Sequence, residues 1–210
     1  MTPPTGKRRA AATVAKSGRR DRRDELLAAA IGVFCDKGFA GASMQDIAKA
    51  VGVLKGSLYH YVSSKDELLE NVFTAAGDET EQMIEDVEKL DVEPVERLRT
   101  FVRAQIDWYL RDVARATVLQ REWRFVAGDG REIIREYRGR YEAYVRSLIE
   151  ACVDAGATDA DLDVDHAMRF VLGGVEATPE WFRASGSASV ERVGEVYAAL
   201  TLGAVLRPPD

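Results

Sequence analysis

The sequence predicts an all-α fold, and three observations support this prediction. Most apolar residues recur at spacings of three and four, as they do on the buried face of a helix. No stretch shows the strict alternation of apolar and polar residues that is typical of a half-buried strand. Capping residues and helix breakers divide the 210 residues into segments of helical length. We therefore expect about nine helices.

The first predicted helix covers residues 21–37 and has one apolar face. Gly38 follows it and suits a left-handed helix stop. Ser43 caps the second helix, with Asp46 three residues later as in a capping box. Gly52 then permits a tight turn. The apolar face of the first helix consists of Leu26, Leu27, Ala30, Ile31, Phe34 and Cys35.

The later helices are separated by similar signals. Ser64 and Glu67 form a capping box at the start of the fourth helix, and Pro94 suits the first position of the fifth. The breaker AGDG at 127–130 separates the sixth helix from the seventh, which Gly156 closes. The predicted bounds of the third to ninth helices are about 55–61, 64–90, 94–112, 113–126, 130–155, 163–183 and 189–206.

Charge is distributed unevenly along the chain. The net charge is −6, but residues 1–25 carry eight basic and three acidic side chains, a net charge of +5 that leaves −11 on the rest. Residues 1–19 show no periodicity and are predicted to form a disordered basic arm. A basic arm on an acidic body indicates an anion-binding end, and a solvated tail is the alternative.

Residues 43–67 carry the pattern that points to a function. A short amphipathic helix, a glycine turn and a short helix rich in polar side chains succeed one another, as in a helix-turn-helix. Such a unit presents its second helix to a DNA groove. We therefore divide the chain into the arm at 1–19, a three-helix DNA-binding unit at 20–71, and a helical ligand-binding and dimerisation body at 72–210.

The third helix has the side chains that a recognition helix needs. Leu58 and Val62, four residues apart, can anchor it in the core. Lys55 can donate to a guanine, and Gly56 lets the backbone approach the groove closely. The ring of Tyr59 can contact a thymine methyl while its hydroxyl meets a phosphate, although a core aromatic is the alternative. Ser57 and His60 are expected on the same outer surface.

Two helix starts offer phosphate sites. Lys65 lies in the first turn of its helix, where a cation opposes the helix dipole. That cost is reversed if the ammonium group and the backbone N–H groups share one DNA phosphate. Ser43 can act in the same way at the start of the second helix, and a merely solvated Lys65 is the alternative.

From Leu26 to Leu69 the sequence resembles the TetR family of transcriptional regulators. Two positions depart from the family pattern: Leu54 stands where a hydroxyl residue commonly caps the recognition helix, and Val62 stands where Phe is frequent. The shared pattern comprises Phe34, Gly38-Phe39, Ser43, Asp46-Ile47-Ala48, Ala50-Val51-Gly52-Val53, Gly56-Ser57-Leu58-Tyr59, Tyr61 and Ser64-Lys65-Asp66-Glu67-Leu68-Leu69.

The resemblance implies a ligand-responsive homodimer that binds a palindromic DNA operator, usually as a repressor. A small apolar effector would release it. By resemblance, the residues that meet bases or nearby backbone are Lys55, Gly56, Ser57, Tyr59 and His60, and those that meet phosphates are Ser43, Tyr61 and Lys65.

The last two helices carry apolar stripes. With their symmetry mates they would form a four-helix dimer interface, and packing within one chain is the alternative. Gly173 and Gly174 inside a helix favour close approach at the dimer axis. The expected interface residues are Phe170, Gly174, Phe182, Val193, Tyr197 and Leu200.

Aromatic and basic residues of the middle helices are candidates for an effector pocket. They suit a large apolar ligand with one polar or anionic end, and ordinary core packing is the alternative. The candidates are Phe101, Trp108, Tyr109, Arg121, Trp123, Arg124, Tyr137 and Tyr141.

The segment from Asp163-Val164-Asp165 to Trp181-Phe182-Arg183 resembles the branch of the family that senses acyl-CoA thioesters. That branch places Arg and Trp residues within this helix to hold the ligand. This chain has Leu172, Glu176 and Glu180 there. The resemblance implies an acyl-CoA effector, while the acidic pair would repel its phosphates.

Other functional classes find little support in the sequence. No metal-spaced His/Cys cluster and no phosphate-binding glycine loop occurs, so neither an enzyme nor a cofactor is predicted. A helical enzyme and an architectural helix-turn-helix protein remain the alternatives. Cys35 and Cys152 are expected to be reduced thiols. No apolar segment is long enough to span a bilayer, and we expect a cytoplasmic protein.

Overall fold

The structure is a computed structural model that describes residues 6–159 and 161–206, with side chains from Arg22 onward. Within these ranges it contains helices, turns and loops but no strand, which confirms the all-α prediction. A 3₁₀ turn at Trp123–Phe125 follows α6. The helices are α1 Gly6–Gly41, α2 Met44–Val51, α3 Lys55–Leu58, α4 Lys65–Glu88, α5 Pro94–Arg111, α6 Val113–Glu122, α7 Gly128–Asp154, α8 Val164–Glu176, α9 Thr178–Trp181 and α10 Val190–Val205.

The first helix begins earlier than the sequence predicts. Because α1 starts at Gly6, residues 6–19 are helical where disorder is expected, and residues 1–5 of the arm lie outside the described residues. Ala, Arg and Lys dominate this stretch and have high helix propensity. Gly38 interrupts the helix with a φ of 70° and a ψ of 159°, so the predicted stop is a kink before a last short turn.

Two other helices differ from their predicted bounds. The helix expected at 163–183 is divided at Ala177 into α8 and α9. Pro179 explains the division, since its missing N–H and its ring prevent a continuous helix. The recognition helix α3 ends at Leu58 and continues as turns to Tyr61.

The N-terminal helices surround a core of their own. Leu26 and Phe34 from α1, Ile47 from α2 and Leu58 from α3 are buried together with the start of α4. Val118 from α6 is also buried in this core, as is Val126 before α7. The N-terminal unit therefore shares its core with a helix of the body.

A second core fills the body around α5. Phe101 and Ile106 from α5 pack against α7, α8 and α10. Helix α4 joins the two cores, because Leu68 is buried in the first and Val87 in the second. No helix within the described residues is long and apolar enough to cross a membrane.

Candidate nucleic-acid interface and effector cavity

The helix-turn-helix corner is fixed by a complete capping box. The Ser43 hydroxyl accepts from the Asp46 N–H at 3.2 Å, and the Asp46 carboxylate accepts from the Ser43 N–H at 3.0 Å. Lys37 Nζ donates to the same carboxylate at 2.5 Å. This hydrogen bond, with that from the Ser43 hydroxyl, lowers the pKa of Asp46 from 3.8 to about 2. The start of α2 is thereby tied to α1.

The turn into α3 depends on glycine. Gly52 has a φ of 78°, and its N–H donates to the carbonyls of Ala48 and Lys49. Leu54 at the N-cap of α3 makes no capping hydrogen bond and is 81% exposed. The missing cap that the sequence indicates is therefore real, and a large apolar side chain lies beside the start of the recognition helix.

The outer surface of α3 is polar and exposed. Leu58 and Val62 are buried, as predicted for the residues that anchor this helix in the core. Tyr59 is 50% exposed, which excludes the core alternative. Lys55 and His60 are exposed and Ser57 is half-buried.

Gly56 has open space around it. A Cβ built there would meet no heavy atom within 4 Å, so nothing in the described part of the chain requires glycine at this position. This fits a residue whose small size serves an approach from outside the protein.

Lys65 has internal partners. Its ammonium group donates to the carbonyl oxygens of Phe39 at 2.6 Å and Ala42 at 2.9 Å, and lies 4.3 Å from the centre of the Phe39 ring. The solvated alternative is therefore wrong. An ammonium group has three donors, so one is left for the predicted phosphate contact. Tyr61 and Ser43 are exposed.

The cap of α4 is shifted by one residue from the predicted box. The Ser64 hydroxyl accepts from the Glu67 N–H at 3.0 Å, as predicted. The Glu67 carboxylate, however, accepts from the N–H and the hydroxyl of Ser63, both at 2.6 Å. These hydrogen bonds lower the pKa of Glu67.

A cavity of about 770 Å³ lies in the body between α4, α5, α6 and α7. Of the predicted pocket residues, five line it. They are Trp108, Tyr109, Trp123, Tyr137 and Tyr141. These five aromatic side chains are therefore part of the cavity wall, and Tyr141 is buried in the body core as well.

The three other predicted pocket residues lie elsewhere. Phe101 is buried in the body core, edge-on to Tyr144 with 5.2 Å between ring centres. Arg121 and Arg124 are exposed and absent from the cavity wall. The reason is helical spacing, since Leu119, Gln120 and Trp123 form the face that meets the cavity.

Arginines of α7 were missed by the sequence analysis. Arg131, Arg135 and Arg138 line the cavity at spacings of four and three, as does Arg140. The first three form one face of α7, and Arg138 is also one turn before Tyr141. This spacing was the available signal. We call Trp123, Arg131 and Arg135 the outer end of the cavity; they are exposed lining residues from the turn before α7 and from the first two turns of α7.

The inner end of the cavity is formed by Gln105, Tyr109, Tyr141 and Glu176. The Tyr141 hydroxyl donates to Gln105 Oε1 at 3.1 Å, and Gln105 Nε2 donates to Met83 Sδ at 3.2 Å. Burial raises the pKa values of both tyrosines and of Glu176. The phenols therefore remain neutral hydrogen-bonding groups at ordinary pH.

One wall of the cavity depends on a missing side chain. A Cβ at Gly77 would lie 2.5 Å from the Tyr137 ring, so the ring packs flat against α4. The Tyr137 hydroxyl donates to Asp78 Oδ1 at 2.6 Å. This hydrogen bond, with burial, raises the pKa of Tyr137 to about 12. Tyr137 of α7 is thus held against α4 by ring packing and by a hydrogen bond.

Helices α8 and α10 leave an apolar face exposed. Phe170 is 64% and Leu200 is 61% exposed, and Gly174 is exposed beside them. Tyr197 is half-buried and stacks on Trp181 with 6.1 Å between ring centres. We call Phe170, Gly173, Gly174, Trp181, Leu200, Gly203 and Ala204 the α8–α10 face.

Two of the predicted interface residues point inward instead. Phe182 and Val193 are buried in the body core, so for them the alternative of packing within one chain holds. Gly173 has no heavy atom within 4 Å of a built Cβ, so its small size has no use inside the described part of the chain.

The described residues contain no group of His, Cys, Asp and Glu side chains that could hold a metal ion. Cys35 and Cys152 are free thiols, and burial raises the pKa of each.

Two family models match the chain. The model described as "Bacterial regulatory proteins, tetR family" matches residues 26–72, and the model described as "Tetracyclin repressor-like, C-terminal domain" matches residues 91–205. The chain is also 30% identical to the HTH-type transcriptional repressor KstR2 of Mycolicibacterium smegmatis, over 88% of this chain and 90% of the relative.

Solved structures show the same architecture. The ketosteroid transcriptional regulator KstR2 of Mycobacterium tuberculosis superposes with a TM-score of 0.84 at 26% identity, covering 89% of this chain and 96% of that one. AibR in complex with isovaleryl coenzyme A and operator DNA superposes with a TM-score of 0.77 at 26% identity, covering 89% and 99%.

Proposed function

Since the chain belongs to the TetR family of bacterial regulatory proteins, we propose that it is a homodimeric repressor that an acyl-CoA thioester releases from a palindromic operator. Membership makes it a DNA-binding transcriptional regulator and not an enzyme, as the sequence predicts. The observation that carries the effector part is the cavity of about 770 Å³, whose wall is aromatic and whose outer end is basic.

The DNA-binding part of the proposal rests on the surface of α3. Lys55, Tyr59 and His60 are exposed there. The buried side chains of Leu58 and Val62 anchor this short helix in the core. Ser57 and Gly56 complete the surface that would meet bases and nearby backbone. Tyr61, Ser43 and the remaining donor of Lys65 would hold phosphates on either side.

The dimer part rests on the α8–α10 face. An exposed apolar surface of this kind, with glycines in its middle, is typical of a helix-packing interface. Two copies related by a twofold axis would form a four-helix contact. Their recognition helices would then enter successive major grooves, about 34–36 Å apart.

The effector part rests on the polarity of the cavity. An acyl group would bury its chain among the aromatic side chains, and Arg131 and Arg135 could pair with the phosphates of coenzyme A at the outer end. Trp123, which is 54% exposed there, offers a flat surface for the adenine. The complex of AibR with isovaleryl coenzyme A supports this class of effector by similarity.

Helices α4 and α6 provide the connection between cavity and DNA-binding unit. Phe73 belongs to the N-terminal core and also lines the cavity. On α6, Val118 is buried in that core while Leu119 lines the cavity. An effector that binds one arrangement of these helices more tightly would shift the spacing of the two recognition helices.

The test is a footprint on the DNA upstream of the chain's own gene, followed by titration with short-chain, long-chain and alicyclic acyl-CoA thioesters. We expect a protected palindrome whose protection one class of thioester removes. The Arg131→Glu/Arg135→Glu double variant should keep the footprint and resist release. Protection that no thioester removes would overturn the effector proposal, and protection by Tyr59→Ala equal to wild type would overturn the recognition surface.

A further inference from the structure

The polar groups at the inner end of the cavity are unequally satisfied. Tyr141 and Gln105 hydrogen-bond to each other. In the part of the chain that the structure describes, neither the Tyr109 hydroxyl nor the Glu176 carboxylate has a hydrogen-bond partner. An ion contact with Arg138 Nη2 at 3.9 Å reaches Glu176 Oε2, but Arg138 donates more closely to Glu142, at 2.8 Å.

These two groups reach the same cavity from different helices, Tyr109 from α5 and Glu176 from the end of α8. Both line the cavity, and the negative charge of Glu176 acts on the Tyr109 phenol, whose pKa burial already raises. A neutral phenol is both donor and acceptor, whereas a carboxylate only accepts. Tyr109 therefore offers a hydrogen-bond donor and Glu176 a strong acceptor to a ligand in the cavity.

Both groups are accessible from the cavity, since the Glu176 side chain is 30% exposed and Tyr109 is half-buried. A ligand that excludes solvent from the cavity must therefore replace the hydrogen bonds that they make to water. A plain hydrocarbon tail would leave both unsatisfied. A ligand carbonyl would satisfy Tyr109 but would face the lone pairs of Glu176, and a ligand carboxylate would be repelled by it. A hydroxyl satisfies both, because it accepts one hydrogen bond and donates another.

We propose that Tyr109 and Glu176 select an effector whose apolar group carries a hydroxyl at its far end, with Tyr109 donating to that hydroxyl and Glu176 accepting from it. The proposal rests on the proposed function in one respect, that the anionic head of the effector lies at the outer end. Arg131 at the outer end and Tyr141 at the inner end are ten residues apart on α7, about 15 Å along the helix, so one extended effector can reach both ends.

Calorimetric binding to the purified protein without DNA tests this proposal. The first probes are dodecanoic acid and 12-hydroxydodecanoic acid, each as free acid and as coenzyme A thioester. The second pair is 4-cyclohexylbutanoic acid with and without a hydroxyl at the far ring carbon, which separates a linear from an alicyclic source of the hydroxyl. We expect the hydroxylated member of at least one pair to bind about tenfold more tightly.

The variants Tyr109→Phe and Glu176→Leu should each remove this preference, and Glu176→Leu should bind the unsubstituted member more tightly than wild type does. The control is Glu180→Leu, which removes an exposed carboxylate outside the cavity and should leave the preference unchanged. Thermal unfolding of each variant confirms that it folds.

The outcomes separate the two proposals. A hydroxyl preference among the free acids, with no tighter binding of the thioesters, keeps this inference and overturns the acyl-CoA part of the proposed function. Equal binding within every pair, binding by none of the compounds, or a preference that survives both variants overturns the inference.

Discussion

The ammonium group of Lys65 lies 4.3 Å from the centre of the Phe39 ring and donates to the carbonyl oxygen of the same residue at 2.6 Å. That carbonyl and the one of Ala42 belong to the end of α1 and the loop that follows it. The cation therefore meets a concentration of negative partial charge, which offsets its unfavourable place in the first turn of α4. Lys65 joins the start of α4 to the α1–α2 corner.

Replacement of this cation should destabilise the fold. Lys65→Met keeps most of the apolar stem but removes two charged hydrogen bonds and a cation–π contact, and we expect a loss of about 1–3 kcal/mol in the free energy of unfolding. Urea denaturation followed by circular dichroism measures it. The control Lys49→Met removes an exposed lysine of α2 and should change the free energy little. Equal effects of the two substitutions would contradict the assigned role.

Tyr59 should be required for operator binding and not for folding. Because its side chain is half exposed and lies on the recognition helix, Tyr59→Ala should weaken operator binding by about 1–3 kcal/mol while the thermal unfolding curve stays close to that of wild type. Fluorescence anisotropy with operator DNA gives the affinity. Tyr59→Phe separates the ring from the hydroxyl, since only the hydroxyl can donate to a phosphate.

Gly77 should be sensitive to a single methyl group. Gly77→Ala would place a Cβ 2.5 Å from the Tyr137 ring, so the ring or α7 must move, and we expect destabilisation of about 1–3 kcal/mol despite the better helix propensity of Ala. Gly139→Ala on α7 is the matched control, because its built Cβ meets nothing within 4 Å. That change should stabilise the protein by about 0.5–1 kcal/mol. Urea denaturation of both variants measures the free energy of unfolding. A Gly77→Ala variant that is more stable than wild type would contradict the close packing of Gly77 against Tyr137.

The Asp46 cap should make stability depend on pH in a defined window. Its pKa is lowered from 3.8 to about 2 in the folded protein, chiefly by the hydrogen bond from Lys37. The ionised carboxylate therefore contributes stability above the ordinary value, and this contribution is lost as the pH falls through about 2. The Tm difference between wild type and Asp46→Asn should be largest near about pH 5 and should shrink toward about pH 2. A difference that stays constant across this range would show that the charge of Asp46 has no part in the cap.

Charges placed on the α8–α10 face should separate the proposed dimer. Phe170→Glu/Leu200→Glu puts like charges on both copies across the twofold axis, and we expect a monomer that keeps its helical content. Analytical ultracentrifugation gives the mass. Ile133→Glu, a similar change at an exposed apolar residue of α7, is the control and should remain dimeric. A dimeric double variant would move the interface elsewhere.

Local signals in the sequence predicted the local structure well. The capping box of Ser43 and Asp46, the positive φ of Gly52 and the anchors Leu58 and Val62 all depend on residues close to one another in the chain. Even so, the partner of Glu67 is Ser63 and not Ser64, because rotation of one side chain decides which N–H it meets.

Features that depend on packing between distant segments were predicted less well. Phe101 was placed in the pocket and Phe182 in the interface, yet both are core residues, since an apolar stripe does not show which neighbour covers it. The prediction does not include the cavity arginines, because it selects aromatic residues and does not use the four-and-three spacing that places Arg131, Arg135 and Arg138 on one face of α7. Pro179 was present in the sequence as a helix breaker and was not used.

The burial of Val118 and Val126 in the N-terminal core has a consequence for modularity. An N-terminal DNA-binding unit that ends with α4 would lack Val118 and Val126 and therefore part of its hydrophobic core. Exchange of the N-terminal unit between regulators of this architecture therefore requires a compatible α6 surface. A new operator specificity is gained more readily by substitutions on α3 than by transfer of the whole unit.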